Sequence, residues 1–165
     1  MDEIQMKAKL LLQELTDQII NLANRGQFEV AHLLMEQYTK LSPHSIDGYS
    51  VEAMIGILEG DLQAAEEILH RGLDIHPQSF DLLYNLGYVQ EQKEDILEAY
   101  HIYMRARYIA NSDQEKNDIA SALTAIKDQF AGGEKTENDK ITTILRIGKL
   151  QLNLTAEEKE LLKRK

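Results

Sequence analysis

The chain's 165 residues contain no Cys and no Trp, only two Pro, 43% apolar residues and a formal charge of −10. That length can bury the core of one domain, and without Cys neither a disulfide framework nor a Cys-based zinc site can form. No window approaches the roughly 18 uninterrupted apolar residues that cross a bilayer, and the acidic start Met1-Asp2-Glu3-Ile4 is unlike a secretory signal. The expectation is a soluble, cytoplasmic protein with no membrane partner.

The charge is unevenly placed. Residues 1–132 hold 10 basic and 22 acidic side chains, a net of −12, whereas residues 133–165 hold 8 and 6, a net of +2. Phosphate binding needs a clustered positive surface, so nucleic acid is excluded as a partner and a basic or neutral polypeptide fits better.

Taken in chain order, apolar periodicity predicts a first helix over 4–24. Its leading turns carry Met6, Leu10 and Leu11 at helical spacing, where they would cover the open end of the structure that follows. Further helices are expected over 28–41, 46–59, 62–75, 79–92 and 96–110. An interval ties them together: the two prolines, Pro43 and Pro77, lie 34 residues apart, and a period of about 34 marks a helix-turn-helix solenoid. Blocks 12–45, 46–79 and 80–113 align Ala31, Ala65 and Ala99, and four residues later Met35, Leu69 and Tyr103. Ile19, Ala53 and Gly87 coincide upstream, Gly26 and Gly60 fall between the halves of the first two blocks, and Pro43, Pro77 and Asn111 close the blocks.

Each column has a packing reason. Two helices joined by a short turn approach closely only where small side chains face each other, which places the closest crossings at Ala53/Ala65 and Gly87/Ala99. A large apolar residue one turn on fills the remaining space, and a proline ends the second helix. The departures are Ile19 and Tyr38 in the first block, and Glu94 and Asn111 in the third, where Gly and Pro stand elsewhere.

After the third block, Ser112-Asp113-Gln114-Glu115 reads as a capping box. Behind it Ile119, Leu123, Ile126 and Phe130 form one apolar stripe, as a terminal capping helix over about 114–131 requires. Residues 132–139 are Gly-containing and apolar-poor, a flexible connector. The basic extension 140–165 is ambiguous: Ile141, Ile144, Leu145 and Gly148 fit a helix, whereas Leu150, Leu152 and Leu154 alternate as in a strand. Thr155-Ala156-Glu157-Glu158 reads as another capping box. With Ile147, the extension has too many apolar residues for a solvated tail. It should be buried on the chain's own helices or on a second copy, giving a homodimer through residues 140–165.

No pattern reads as catalytic, cofactor-binding or metal-binding. His32, His44, His70, His76 and His101 include no pair at the i, i+4 spacing of a helical metal site, and Glu66-Glu67 and Glu94-Asp95, adjacent in sequence, point apart on a helix.

The columns, fullest in Leu83…Leu86-Gly87…Ala99…Tyr103…Ala106, resemble the tetratricopeptide repeat over about 100 of the 165 residues. The resemblance implies an all-α, right-handed helix-turn-helix solenoid of three repeats within residues 1–131. It also implies a concave face, lined by the first helix of each repeat, that takes a segment of another protein. The matching positions are Gln13, Thr16, Asp17 and Ile20, then Asp47, Ser50, Val51 and Met54, then Asp81, Tyr84, Asn85 and Tyr88. The branch of the family that grips a C-terminal carboxylate uses cations here, but this chain has Thr16, Ile20, Val51, Asp81 and Asn85. A basic or amphipathic polypeptide is therefore the expected partner of a non-catalytic interaction module. Two alternatives follow from resemblance: an accessory repeat module of a bacterial enzyme, since Gly60-Asp61-Leu62…Ala65-Glu66 and Asp81-Leu82-Leu83-Tyr84-Asn85-Leu86 look like modules attached to glycosyltransferases, and, ranked last, a small secretion chaperone.

Overall fold

A computed structural model describes residues 2–130, 144–147 and 150–153. Helix α1 spans Glu3–Asn24, α2 Phe28–Leu41, α3 Ile46–Glu59, α4 Leu62–Ile75, α5 Phe80–Gln92, α6 Ile96–Ile109 and α7 Asp113–Phe130. Every helix but α2, whose preceding Gln27 makes no side-chain cap, has its start written in side chains. Asp2, Ser45, Asp61, Ser79 and Asp95 each accept a hydrogen bond from a first-turn amide of the helix they precede, satisfying a donor with no partner inside the helix. The box ahead of α7 forms in both directions: the Glu115 amide donates to Ser112 Oγ at 3.1 Å and the Ser112 amide to Glu115 Oε2 at 3.2 Å.

The turns inside the repeats share one backbone conformation. Gly26 and Gly60 have φ of 73° and 84°, and Glu94, at the same place in the third repeat, is forced to 64°. A glycine adopts this left-handed region without steric cost and a glutamate does not.

Helices α1, α3 and α5 lie side by side as one layer; α2, α4 and α6 pack behind them, and α7 packs on α6. The core between the layers holds the aligned columns: Ala31, Ala65, Ala99, Leu69 and Tyr103 are all at most 1% exposed. Close approaches also lie at glycines. In the second repeat a Cβ on Gly56 would lie 3.3 Å from the Ala65 amide nitrogen. In the third, a Cβ on Gly87 would meet the Tyr103 ring at 2.4 Å, so the glycine makes room for an aromatic ring.

The departure at Tyr38 is compensated across the repeat boundary. Its ring packs where a Cβ on Gly48 would be 3.0 Å away, and one repeat later Gly72 faces Leu82 and Tyr49. Positions 38 and 72 are aligned, as are 48 and 82, so large against small becomes small against large and the interface volume is kept.

The leading turns of α1 do not cover the first repeat: Met6, Leu10 and Leu11 are 48%, 55% and 54% exposed. The extension contributes an antiparallel pair instead of a helix, with β1 at Ile144–Ile147 and β2 at Leu150–Asn153. The register pairs Ile144 with Asn153, Leu145 with Leu152, Arg146 with Gln151 and Ile147 with Leu150. Two residues, Gly148 and Lys149, separate the strands in sequence. The connector 132–139 and the capping box at 155–158 lie outside the described residues.

Candidate peptide-binding groove

The layer of first helices brings the positions singled out in repeats two and three next to one another. Asn85 Nδ2 donates to Ser50 Oγ at 3.2 Å, joining α5 to α3 through two buried polar side chains. Val51 and Met54 of α3 are buried, and so are Tyr84 and Tyr88 of α5. Asp47 and Asp81 occupy the first turns of α3 and α5, where a carboxylate also suits the positive end of a helix. Asp47 is exposed and Asp81 half-buried.

The first repeat is different. Ile20 and Thr16 are buried, but Gln13 and Asp17 are exposed. Thr16 turns its hydroxyl onto its own helix, donating to the Leu12 carbonyl at 2.9 Å.

Tyr84 serves packing: its ring lies 5.8 Å from Phe80 and 5.5 Å from Tyr103. Beneath it the Tyr103 hydroxyl donates to Glu91 Oε2 at 2.6 Å. Glu91 is missing from the sequence-derived set, although it follows Tyr88 by three residues and so shares its helix face. Lys9 is the other addition. It comes from α1 and bears on Asp47, whose carboxyl is held above its usual pKa by partial desolvation against the opposing pull of that lysine.

Tyr88 is fully buried, and among the described residues its hydroxyl has no hydrogen-bond partner. Burial, and secondarily the charge of Glu91, push its pKa well above the ordinary phenol value. Tyr103 is raised in the same way, burial again leading. A phenol shifted upward stays protonated, so both can donate hydrogen bonds but are poorly suited to act as bases or nucleophiles. Among the described residues, no three His, Asp or Glu come together as a metal site, and no helix is long and apolar enough to cross a membrane.

β1 runs alongside both α5 and α3.

No protein-family model and no curated protein sequence matches the chain. Nineteen solved chains match its fold. One of them is the type III secretion chaperone SycD of Yersinia enterocolitica, solved in complex with a peptide of the translocator YopD; the two are 19% identical with a TM-score of 0.60, over 73% of this chain and 95% of that one. The likeness makes the fold a tetratricopeptide-like helical repeat.

Proposed function

We propose that this chain is a non-catalytic module that holds a basic or amphipathic segment of another polypeptide along the face built by α1, α3 and α5, as a small bacterial cytoplasmic chaperone would. The observation that carries this reading is the make-up of that face. Asn85 and Ser50 form a buried polar pair, Val51, Met54 and Tyr88 lie buried on the same two helices, and Asp47 and Asp81 sit in their first turns. Uncovered, such a face offers polar groups to a ligand backbone, burial to aliphatic side chains, and attraction to cations.

The fold neighbour supports the reading, since that protein is a secretion chaperone crystallised with a translocator peptide. It also reverses the order of the alternatives: the secretion-chaperone reading moves ahead, and no structural observation favours an accessory module of a glycosyltransferase.

A photo-crosslinking amino acid at the exposed Asp17 position, with the full chain expressed in its native host, should capture a specific polypeptide identifiable by mass spectrometry. Capture should weaken at least tenfold with Asp47→Lys and Asp81→Lys together, and should fall as salt rises, because exposed charges are screened over about 10 Å at 0.1 M. Undiminished capture by the charge-reversed chain would exclude this face.

A further inference from the structure

The α3/α5 face is already covered. Residues Leu82–Gln90 of α5 are buried without a break, although successive residues on a helix point in all directions. A helix enclosed on every side needs a neighbour on every side. α4 and α6 stand behind α5 and α3 stands beside it, and β1 runs alongside α5 and α3.

The hairpin has the chemistry that this face asks of a ligand. Cross-strand partners share a face of a β-ribbon, so the pairs Leu145–Leu152 and Ile147–Leu150 place four aliphatic residues together, while Arg146 pairs with Gln151 on the other face. Residues 140–165 carry 7 basic and 3 acidic side chains, whereas residues 1–132 are net negative with 10 basic and 22 acidic. A net-basic strand pair with aliphatic residues in register thus runs alongside α3 and α5 of a net-acidic helical body.

We propose that the groove recognises an extended, strand-like segment with alternating aliphatic residues, and that the hairpin of residues 144–153 is its tethered resident, which an incoming polypeptide must displace. This rests on the reading that the groove captures a polypeptide. The occupant is an imperfect one by a single visible criterion: with the strand pair in place, the buried Tyr88 hydroxyl has no hydrogen-bond partner among the described residues. A buried donor left unsatisfied is costly. A segment that sets a carbonyl opposite Tyr88 gains a hydrogen bond that the resident does not make, and so outcompetes it despite the tether's concentration advantage.

The test uses the full chain labelled with ¹³C at its methionine methyls. Met54 reports on the groove, while Met35 of α2 and Met104 of α6 report on the rest of the solenoid. Leu145→Asp with Leu152→Asp should shift the Met54 resonance and leave Met35 and Met104 in place. A labelled synthetic peptide of residues 142–155, added in trans, should bind this variant at least tenfold more tightly than the unsubstituted chain and return Met54 to its original position. Sedimentation should give a monomer throughout. An unmoved Met54, equal peptide affinities, or a dimer in the unsubstituted chain that dissociates in the variant would each overturn the proposal, the last by assigning the groove to the arm of a second copy. These results are separate from capture at Asp17: a host polypeptide crosslinked there while Met54 stays unmoved keeps the function and removes the resident. The converse pair of results does the opposite.

Discussion

Helices α1 and α5 occupy the same place in two copies of one repeat, yet one lies open and the other is enclosed. On α1, Gln13 and Asp17 are exposed, as are Ile4, Met6, Leu10 and Leu11 ahead of the repeat. On α5, every residue from Leu82 to Gln90 is buried. The intrarepeat columns are equally well packed in both, with Ala31 and Ala99 each at 0% exposure. The repeat pattern therefore specifies the surface between a helix and its own partner, while the surface it turns outward takes its environment from whatever stands next to it.

The largest test of this comparison lies in the column of big residues. Tyr103 is 1% exposed and lies against Gly87, with its hydroxyl bound to Glu91. Tyr103→Ala should cost about 3–5 kcal/mol, the range for emptying a large aromatic site in a core. Leu33→Ala on the outward face of α2, where Leu33 is 59% exposed, should change stability by less than about 0.5 kcal/mol. Gly87→Ala, whose new methyl would press on the Tyr103 ring, should cost about 1–3 kcal/mol. In a chain that also carries Tyr103→Leu, that cost should shrink, because the two positions share one space. Chemical denaturation of these variants, with Tyr103→Leu alone as the reference for the double, measures all of these. Equal losses from Tyr103→Ala and Leu33→Ala would dissolve the distinction between the inward and outward faces.

The sequence made the inner faces legible because close packing restricts them to particular sizes at a fixed interval. Small residues at 31, 65 and 99, glycines at the turns and prolines at the block ends place every helix boundary within about one residue of its position. Gly56 was harder to see, because the third repeat has Gln90 at that place and the column is not kept. The hairpin was ambiguous for a different reason. A short apolar run such as Ile144-Leu145-Arg146-Ile147 satisfies both periodicities, and only the partner strand and the helices beneath it decide. The candidate groove was half legible. The positions on α3 and α5 follow from the repeat, but the burial of Tyr88 and the arrival of Lys9 beside Asp47 depend on segments far away in sequence.

A smaller effect separates the two ends by pH. Burial disfavours the ionised Glu66 side chain, but hydrogen bonds from Lys93 and Gln90, the latter 2.6 Å long, outweigh it and hold its pKa below the ordinary value of 4.5. A depressed carboxylate pKa contributes stability that is present in full above the unfolded-state value and is lost as pH falls through the folded-state value. The wild-type chain should therefore melt higher than Glu66→Gln at pH 7, and the difference should close as the pH falls below about 4.5. Asp47 has the opposite sign, since its raised pKa favours the folded state when protonated. Asp47→Asn should thus narrow the drop in stability that accompanies the rise in pH through the carboxylate range. Melting curves from pH 3 to pH 7 distinguish the two; parallel curves for wild type and Glu66→Gln would show that the contact between α4 and α5 carries no ionisation-linked stability.

The smallest effect isolates the backbone. Gly60 and Glu94 hold the same turn at φ of 84° and 64°, and a Cβ at Gly60 would have no atom within 4 Å. Substitution at either position therefore tests conformation with little interference from packing. Glu94→Gly removes the strain of a side chain in the left-handed region, worth about 1–2 kcal/mol, but returns part of that gain through the greater freedom of glycine in the unfolded chain, about 0.5–1 kcal/mol. The net should be a stabilisation of about 0.5–1 kcal/mol, and Gly60→Ala should lose a similar amount. The charge changes too, because Glu94 lies just beyond the C-terminal end of α5, where a negative charge is unfavourable. Glu94→Gln tests that contribution alone, and Glu94→Asn gives the partial relief of a residue that tolerates this conformation. Stability should thus rise in the order Glu, Gln, Asn, Gly at position 94. A Gln variant as stable as the Gly variant would assign the whole effect to charge and remove the backbone argument that identifies Glu94 as the counterpart of Gly60.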